Sequence, residues 1–349
     1  MQRQALMKIG LLLSLVTLVA CETTTAPTEP KKEKEVEREQ EIVVGLSMDT
    51  LIEERWEKDR DMFKQAIEAK GARVIVKAAN GNDALQIAQA EALISQGVDV
   101  LVLVPHNAEA AATIVGKAQL ADIPVISYDR LVKNANVDLY ISFDNEEIGR
   151  LQASAMLEVV PKGNYVYIGG AKTDNNAHLM KDGVLSVLAP AIDQGDVTIV
   201  YDQWTEGWMP VHAKENMRKA ITANAGDIDA VIAANDATAG AAIEAIEALG
   251  LAREIPVVGQ DAELEGIHRI INGEQLMTVY KSIRELTDRA AEIAISMANG
   301  ESIITEHTIN NGKKDVPTVF LEPTPIDENN INLVIEDGFH TYEAVYQTN

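Results

Sequence analysis

The sequence predicts an α/β fold made of two doubly wound parallel sheets with a cleft between them. Three observations predict it: short β-rich runs alternate with helix-length segments, the runs are almost continuously apolar, and about 300 residues follow the amino-terminal segment. Continuous apolar strands belong to sheets covered on both faces, and strand–helix alternation belongs to parallel order with right-handed crossovers. That length exceeds what one hydrophobic core holds, so two domains are expected.

Ten runs read as strands. IVVGLSM (42–48), RVIVKAA (73–79), VDVLVLVP (98–105), IPVISYD (123–129) and VDLYISF (137–143) come first; NYVYIGG (164–170), VTIVYDQ (197–203), IDAVIAAND (228–236), IPVVGQD (255–261) and LMTVYKS (276–282) follow. Helices are expected at Arg55 to Ala69, Ala84 to Gln96, Glu146 to Val160, Thr238 to Leu249 and Leu264 to Ile271, several stopping at a glycine such as Gly71, Gly97, Gly250 or Gly273. Ten strands are more than one small open sheet carries, so they divide into two lobes. No Pro/Gly-rich border separates the halves, which fits lobes joined by several chain crossings.

The amino terminus reads as an export signal. Arg3 and Lys8 precede an apolar run from Ile9 to Ala20, and the only cysteine, Cys21, follows Leu18, Val19 and Ala20. Twelve apolar residues are too few to span a bilayer, whereas a charged start and a small-residue site are export features. Residues 1–20 are therefore expected to be a lipoprotein signal peptide and Cys21 the lipidated end. Residues 21–40 hold no large apolar side chain except Val36 and are expected to be a disordered tether. Removing Arg3 and Lys8 leaves 28 basic against 54 acidic residues, a net charge of −26. Such a chain repels nucleic acid, and its basic cluster at Lys31 to Lys34 is interspersed with Glu33 and Glu35.

In open α/β sheets, ligands bind beyond the carboxyl ends of the strands. Polar residues collect at those ends: DTLIEERW after the first run, Asp129-Arg130, Asn175-Asn176, the WTEGW segment, Asn235-Asp236, Gln260-Asp261 and Lys281. Singly, such Asp and Asn residues are ordinary helix caps, and Asp129-Arg130 reads equally as a surface ion pair. Together, carboxylates, amides and cations beside indoles match a sugar, whose hydroxyls donate and accept around apolar C–H faces. Of the three tryptophans, Trp204 and Trp208 flank one strand end and Trp56 adjoins Arg55. Trp56 reads equally as a core residue, and Trp204 is assigned to packing.

Several strings carry a family resemblance: ERWEKDRD (54–61), SYDR (127–130), YISFDNEEIG (140–149), TDNNA (173–177), DQWTEGW (202–208), NDATAG (235–240), GQDAELEGI (259–267) and MTVYK (277–281). From about Ile42 to His340 the chain resembles the D-xylose-binding proteins of bacterial ABC transporters, of the type I periplasmic sugar-binding family. The resemblance implies two Rossmann-like lobes joined by a three-segment hinge near 142–145, 280–282 and 310–313. The lobes would be 41–144 plus 281–309 and 145–280 plus 310–340. It puts Arg55, Asp129, Arg130, Asn176, Asn235, Asp261 and Lys281 in hydrogen-bonding roles, Trp208 in a stacking role and Trp56 on the opposite face. It implies a monomer that captures D-xylose for an ABC transporter permease, with no cofactor and no metal. Lys172-Thr173 ahead of Asp174 and the long acidic tether depart from the pattern but lie outside the matched contacts.

Other functions find less support. There is no G-x-S-x-G elbow, GGAKT (169–173) lacks phosphate-loop spacing, and His106, His178, His212, His268, His307 and His340 are scattered without metal-ligand spacing. DENNIN (327–332) begins like a calcium loop but carries Ile331 and Gly338 where ligands belong. A sugar-responsive repressor of this fold would need a basic helix-turn-helix where this chain has its export signal. A protein presenting sugar to a chemoreceptor or sensor kinase remains the alternative to an import component.

Overall fold

The computed structural model describes residues 41–248, 250 and 254–347. The export signal, Cys21 and the tether lie outside the described residues, as does Leu249, the expected end of one helix.

The first half of the chain alternates β1 (Val43–Met48), α1 (Glu54–Ala69), β2 (Arg73–Ala78), α2 (Asp83–Ser95), β3 (Val100–Leu103), α3 (Ala112–Gln119), β4 (Val125–Tyr128) and β5 (Leu139–Phe143). The second half continues with α4 (Asn145–Val159), β6 (Gly163–Gly169), α5 (Asn175–Asp193), β7 (Val197–Trp204), a 3-10 turn at Glu206–Trp208, α6 (Pro210–Ala223), β8 (Ala230–Ala233), α7 (Asp236–Glu247), β9 (Val257–Val258), α8 (Leu264–Ile271) and β10 (Thr278–Tyr280). After these come α9 (Ile283–Ala298), β11 (His307–Asn310), β12 (Asp315–Leu321), β13 (Thr324–Ile326), α10 (Asn332–Glu336) and α11 (Tyr342–Tyr346).

Two sheets result. The first runs β11-β12-β5-β4-β3-β1-β2, with only β11 antiparallel, and the second runs β7-β6-β8-β9 in parallel, extended by a Val258–Met277 bridge toward the antiparallel pair β10-β13. Each order reverses beside its first strand, at β1/β3 and at β6/β8, which is where doubly wound sheets open a ligand crevice.

The continuous apolar runs have a direct cause. Successive side chains of a strand face opposite sides. Val100 and Val102 of β3 pack into one apolar layer while Leu101 and Leu103 pack into the other. Ala230 and Ile232 of β8 are separated from Val231 and Ala233 in the same way. Burying both faces leaves no polar side.

Helices α4 and α5 pack face to face through glycine: a Cβ on Gly149 would sit 2.0 Å from the Met180 carbonyl oxygen, and one on Gly183 would sit 2.0 Å from that of Glu146. Only residues without a side chain permit that approach, which sets α5 and hence the Asp174–Asn176 segment at its start.

The strand pairing corrects one boundary. The family resemblance implies that residues 310–340 belong to the second lobe, yet β11 and β12 complete the first sheet, β12 lying parallel to β5 with Thr318 opposite Tyr140. The third crossing therefore falls between Leu321 and Thr324 and not at 310–313. The physical reason is a hairpin at Asn310 to Asp315. Gly312 takes a φ of 91°, and buried Asn311 accepts from the Lys313 and Lys314 amides at 3.0 and 3.1 Å while its Nδ2 donates to the carbonyls of Val132 and Ala135.

Candidate functional site

One cavity at the carboxyl ends of both sheets gathers the chemistry. It is lined by Glu53, Arg55, Trp56, Asp129, Arg130 and Asn145 from the first sheet's loops and the first crossing, and by Asp174, Asn176, Trp208, Asn235, Gln260, Asp261 and Lys281 from the second sheet's loops and the second crossing. The space among them not filled by atoms is about 400 Å³, part of it open to solvent. All nine residues singled out for ligand binding in the sequence line it. Glu53, Asn145, Asp174 and Gln260 join them without having been singled out.

Charged groups interlock across the cavity wall. Arg55, in the first turn of α1, pairs with Asp129, holds Asp59 at 3.2 Å and reaches Asp261 at 3.4 Å; Lys281 sits 2.8 Å from the same Asp261 oxygen. Arg130 places Nη1 2.6 Å from Asp49 and Nε 2.8 Å from Asp174. Burial works against ionising Asp129, but Arg55 and Lys281 outweigh it and hold its carboxyl below the usual range. Asp174 goes the other way, because burial exceeds the attraction of Arg130 and raises it. Glu53, too, is raised by burial.

The lining thus carries four carboxyl groups, Glu53, Asp129, Asp174 and Asp261, against three cations, Arg55, Arg130 and Lys281. An anionic ligand finds no surplus positive charge there, while a neutral polyol finds both donors and acceptors.

Backbone geometry presents these groups. Asp129, Asp261 and Trp208 take φ values of 61°, 93° and 60°, in the left-handed region that non-glycine residues seldom occupy. The Asp129 turn is fixed because its carbonyl accepts from Ser142 Oγ at 2.6 Å, Asn176 Nδ2 at 2.9 Å and Tyr140 Oη at 3.0 Å. Asp261 is tied to β10 by its amide, 2.8 Å from the Val279 carbonyl.

The helix caps are real as well. Asn235 caps α7, its Oδ1 accepting from Thr238 N at 2.9 Å, and Asp174 caps α5, accepting from Asn176 N at 2.9 Å. Capping uses the Asn235 oxygen and not its amide nitrogen, so capping and ligand binding are compatible there, whereas the second Asp174 oxygen is held by Arg130 and Trp208.

Two indoles complete the wall. Trp56 lies beneath the Arg55 and Arg130 guanidinium groups, at 4.5 and 4.9 Å from its ring centroid. Trp208 donates Nε1–H to Asp174 at 3.2 Å and covers Gly170, where a Cβ would meet the ring at 2.2 Å. Trp204 does not line the cavity; it packs against His178 and Lys181. Asp236, beside Asn235, also stays behind the wall. It accepts from Gln275, Thr278 and the Glu263 amide, and burial pushes its carboxyl up to about 7.

The sequence signal for the four additional residues was partial. Glu53, Asp174 and Gln260 stand within two residues of recognised positions, whereas Asn145 sits at the first crossing, where a hinge role overshadowed its cavity contact. Among the described residues, no group of three or more His, Cys, Asp or Glu is arranged to hold a metal.

Comparison with known proteins follows the same lines. The family model described as a periplasmic binding protein domain matches residues 44–302. The chain belongs to this periplasmic binding protein family. It is 46% identical over 334 residues to the D-xylose-binding periplasmic protein of Haemophilus influenzae, covering 95% of this chain and 98% of that one. The D-xylose-binding periplasmic protein of Escherichia coli is 48% identical over 301 residues, 86% of this chain and 91% of that protein. A carbohydrate transporter solute-binding protein from Chloroflexus aurantiacus, solved in complex with D-glucose, superposes with a TM-score of 0.83 at 32% identity, covering 87% and 98% of the two chains. Like these relatives, this periplasmic binding protein is an extracytoplasmic binding protein and not an enzyme.

Proposed function

We propose that this periplasmic binding protein captures a monosaccharide, D-xylose, and delivers it to an ABC importer while anchored to the membrane through lipid on Cys21. The observation that carries the sugar reading is the cavity wall itself: two indoles, three cations and four carboxyl groups drawn from both lobes around one small space. Arg55, Asp129, Arg130, Asn176, Asn235, Asp261 and Lys281 hold the hydroxyls, and Trp208 and Trp56 cover the C–H faces. Two D-xylose-binding relatives at 46% and 48% identity support that choice of sugar.

The bond between Ala108 N and the Thr173 carbonyl at 3.0 Å joins a loop of each lobe and supports a cycle of closing around ligand. Closure would bury the sugar between residues of both sheets, and an importer would meet a differently shaped surface in the loaded form. Delivery to an importer is chosen over presentation to a sensor because a carbohydrate transporter solute-binding protein matches at 32% identity, whereas the fructose-binding periplasmic domain of a hybrid two-component system matches at 21%.

A thermal-shift panel of monosaccharides tests the binding step. A ligand of the folded state stabilises by about 2.7 kcal/mol at a hundredfold excess over Kd. D-xylose is expected to raise the melting temperature most, and no shift with any monosaccharide would remove the proposal. The anchor has its own test: Cys21→Ser should abolish lipid labelling and release the protein from membranes, and unchanged labelling would contradict it.

A further inference from the structure

Two oxygen atoms among the cavity residues have no hydrogen-bond partner among the described residues. They are Oε2 of Glu53 and Oε1 of Gln260, both shielded from solvent. The other carboxylates of the wall are engaged by cations: Asp129 by Arg55, Asp174 by Arg130 and Asp261 by Lys281. Gln260 is 3% exposed, and its amide nitrogen reaches only the Met180 sulfur, at 3.4 Å. Thioether sulfur is a weak acceptor.

A buried polar atom without a partner destabilises the fold, so such atoms persist where a ligand or water completes them. Glu53 stands between β1 and α1 in the first lobe, and Gln260 follows β9 in the second. The two incomplete positions therefore border one cavity from opposite lobes.

Building on the monosaccharide reading above, we infer that Glu53 and Gln260 are specificity-determining ligand contacts, each hydrogen-bonding a different hydroxyl of the bound sugar. A hydroxyl donates its hydrogen to Gln260 Oε1 and either donates to or accepts from the Glu53 carboxyl. Because the two side chains belong to different lobes, a sugar lacking either hydroxyl leaves one of them buried and unpaired when the lobes close. Sites built in this way discriminate strongly against analogues that lack the group.

The experiment measures D-xylose affinity and ligand-free melting temperature for the full-length protein and for Gln260→Met, Glu53→Ala and Glu53→Gln. Gln260→Met and Glu53→Ala should each weaken binding by about tenfold or more while the ligand-free melting temperature holds or rises. Glu53→Gln, which keeps a hydrogen-bonding group in place, should stay within about threefold of the parent. For each weakened variant, one monodeoxy-xylose should show no loss relative to the parent, identifying the hydroxyl it contacts.

Affinities within about twofold of the parent, or a lower melting temperature with unchanged affinity, would overturn the inference and leave the sugar reading standing. A parent protein that binds no monosaccharide would overturn both.

Discussion

At the scale of single residues, the two tryptophans of one loop have separate parts to play. Trp208 borders the cavity and is fixed by Asp174, while Trp204, four residues earlier at the end of β7, packs on His178 and Lys181. An indole over sugar C–H groups contributes dispersion and keeps water from the neighbouring hydrogen bonds. Trp208→Ala is expected to weaken D-xylose binding by roughly 2 kcal/mol or more, in the range of binding hot spots. Trp204→Ala should leave affinity within a few tenths of a kcal/mol, as expected of side chains away from a contact. Calorimetry on both variants checks this, and the reverse order of effects would mean that the wrong indole had been placed over the ligand. The sequence made these positions legible because strand ends concentrate polar and aromatic residues on one edge. It could not show that Glu53 and Gln260 keep unpaired atoms, because that depends on which neighbours are engaged elsewhere.

Among the elements, the ten strands were readable because each is a short apolar run ended by polar residues. The hairpin of β11 and β12 was not. Its exposed strand His307–Asn310 carries no apolar run, and the Asn311-Gly312 turn falls where the family resemblance implies a lobe crossing. The same turn now yields a stability prediction. Asn311 satisfies the carbonyls of Val132 and Ala135 and the amides of Lys313 and Lys314, all by one buried side chain. Asn311→Ala would leave several groups unpaired, each costing about 1–3 kcal/mol when buried. Chemical denaturation should show a loss of at least about 2 kcal/mol, with sugar affinity unchanged because the hairpin lies outside the cavity wall. An unaltered midpoint would contradict this account of the hairpin.

In the whole molecule, carboxyl groups of the two lobes act on each other. Glu263, ahead of α8, is pushed up to about 9, first by burial and then by Asp236, Asp261, Glu54 and Glu53; the last two belong to the first lobe. Its folded-state value lies above the ordinary 4.5, so the folded protein keeps a proton that the unfolded chain releases. Stability from this group is therefore greatest below about pH 4.5 and declines as pH rises through about 9. Glu263→Gln removes the ionisation and should flatten that decline, raising the melting temperature by roughly 2 °C or more at pH 8.5 but not at pH 4. Equal shifts at both values would show that Glu263 does not carry the linkage.

The central claim, that thirteen side chains from both lobes form a site for D-xylose, is tested most directly by calorimetric titration of the protein with D-xylose, D-ribose and L-arabinose. The account predicts saturable binding of one sugar per chain, with D-xylose favoured by at least about 1.4 kcal/mol, a factor of ten. Equal affinities for all three pentoses would contradict the assignment to D-xylose, and no heat with any of them would contradict the site itself.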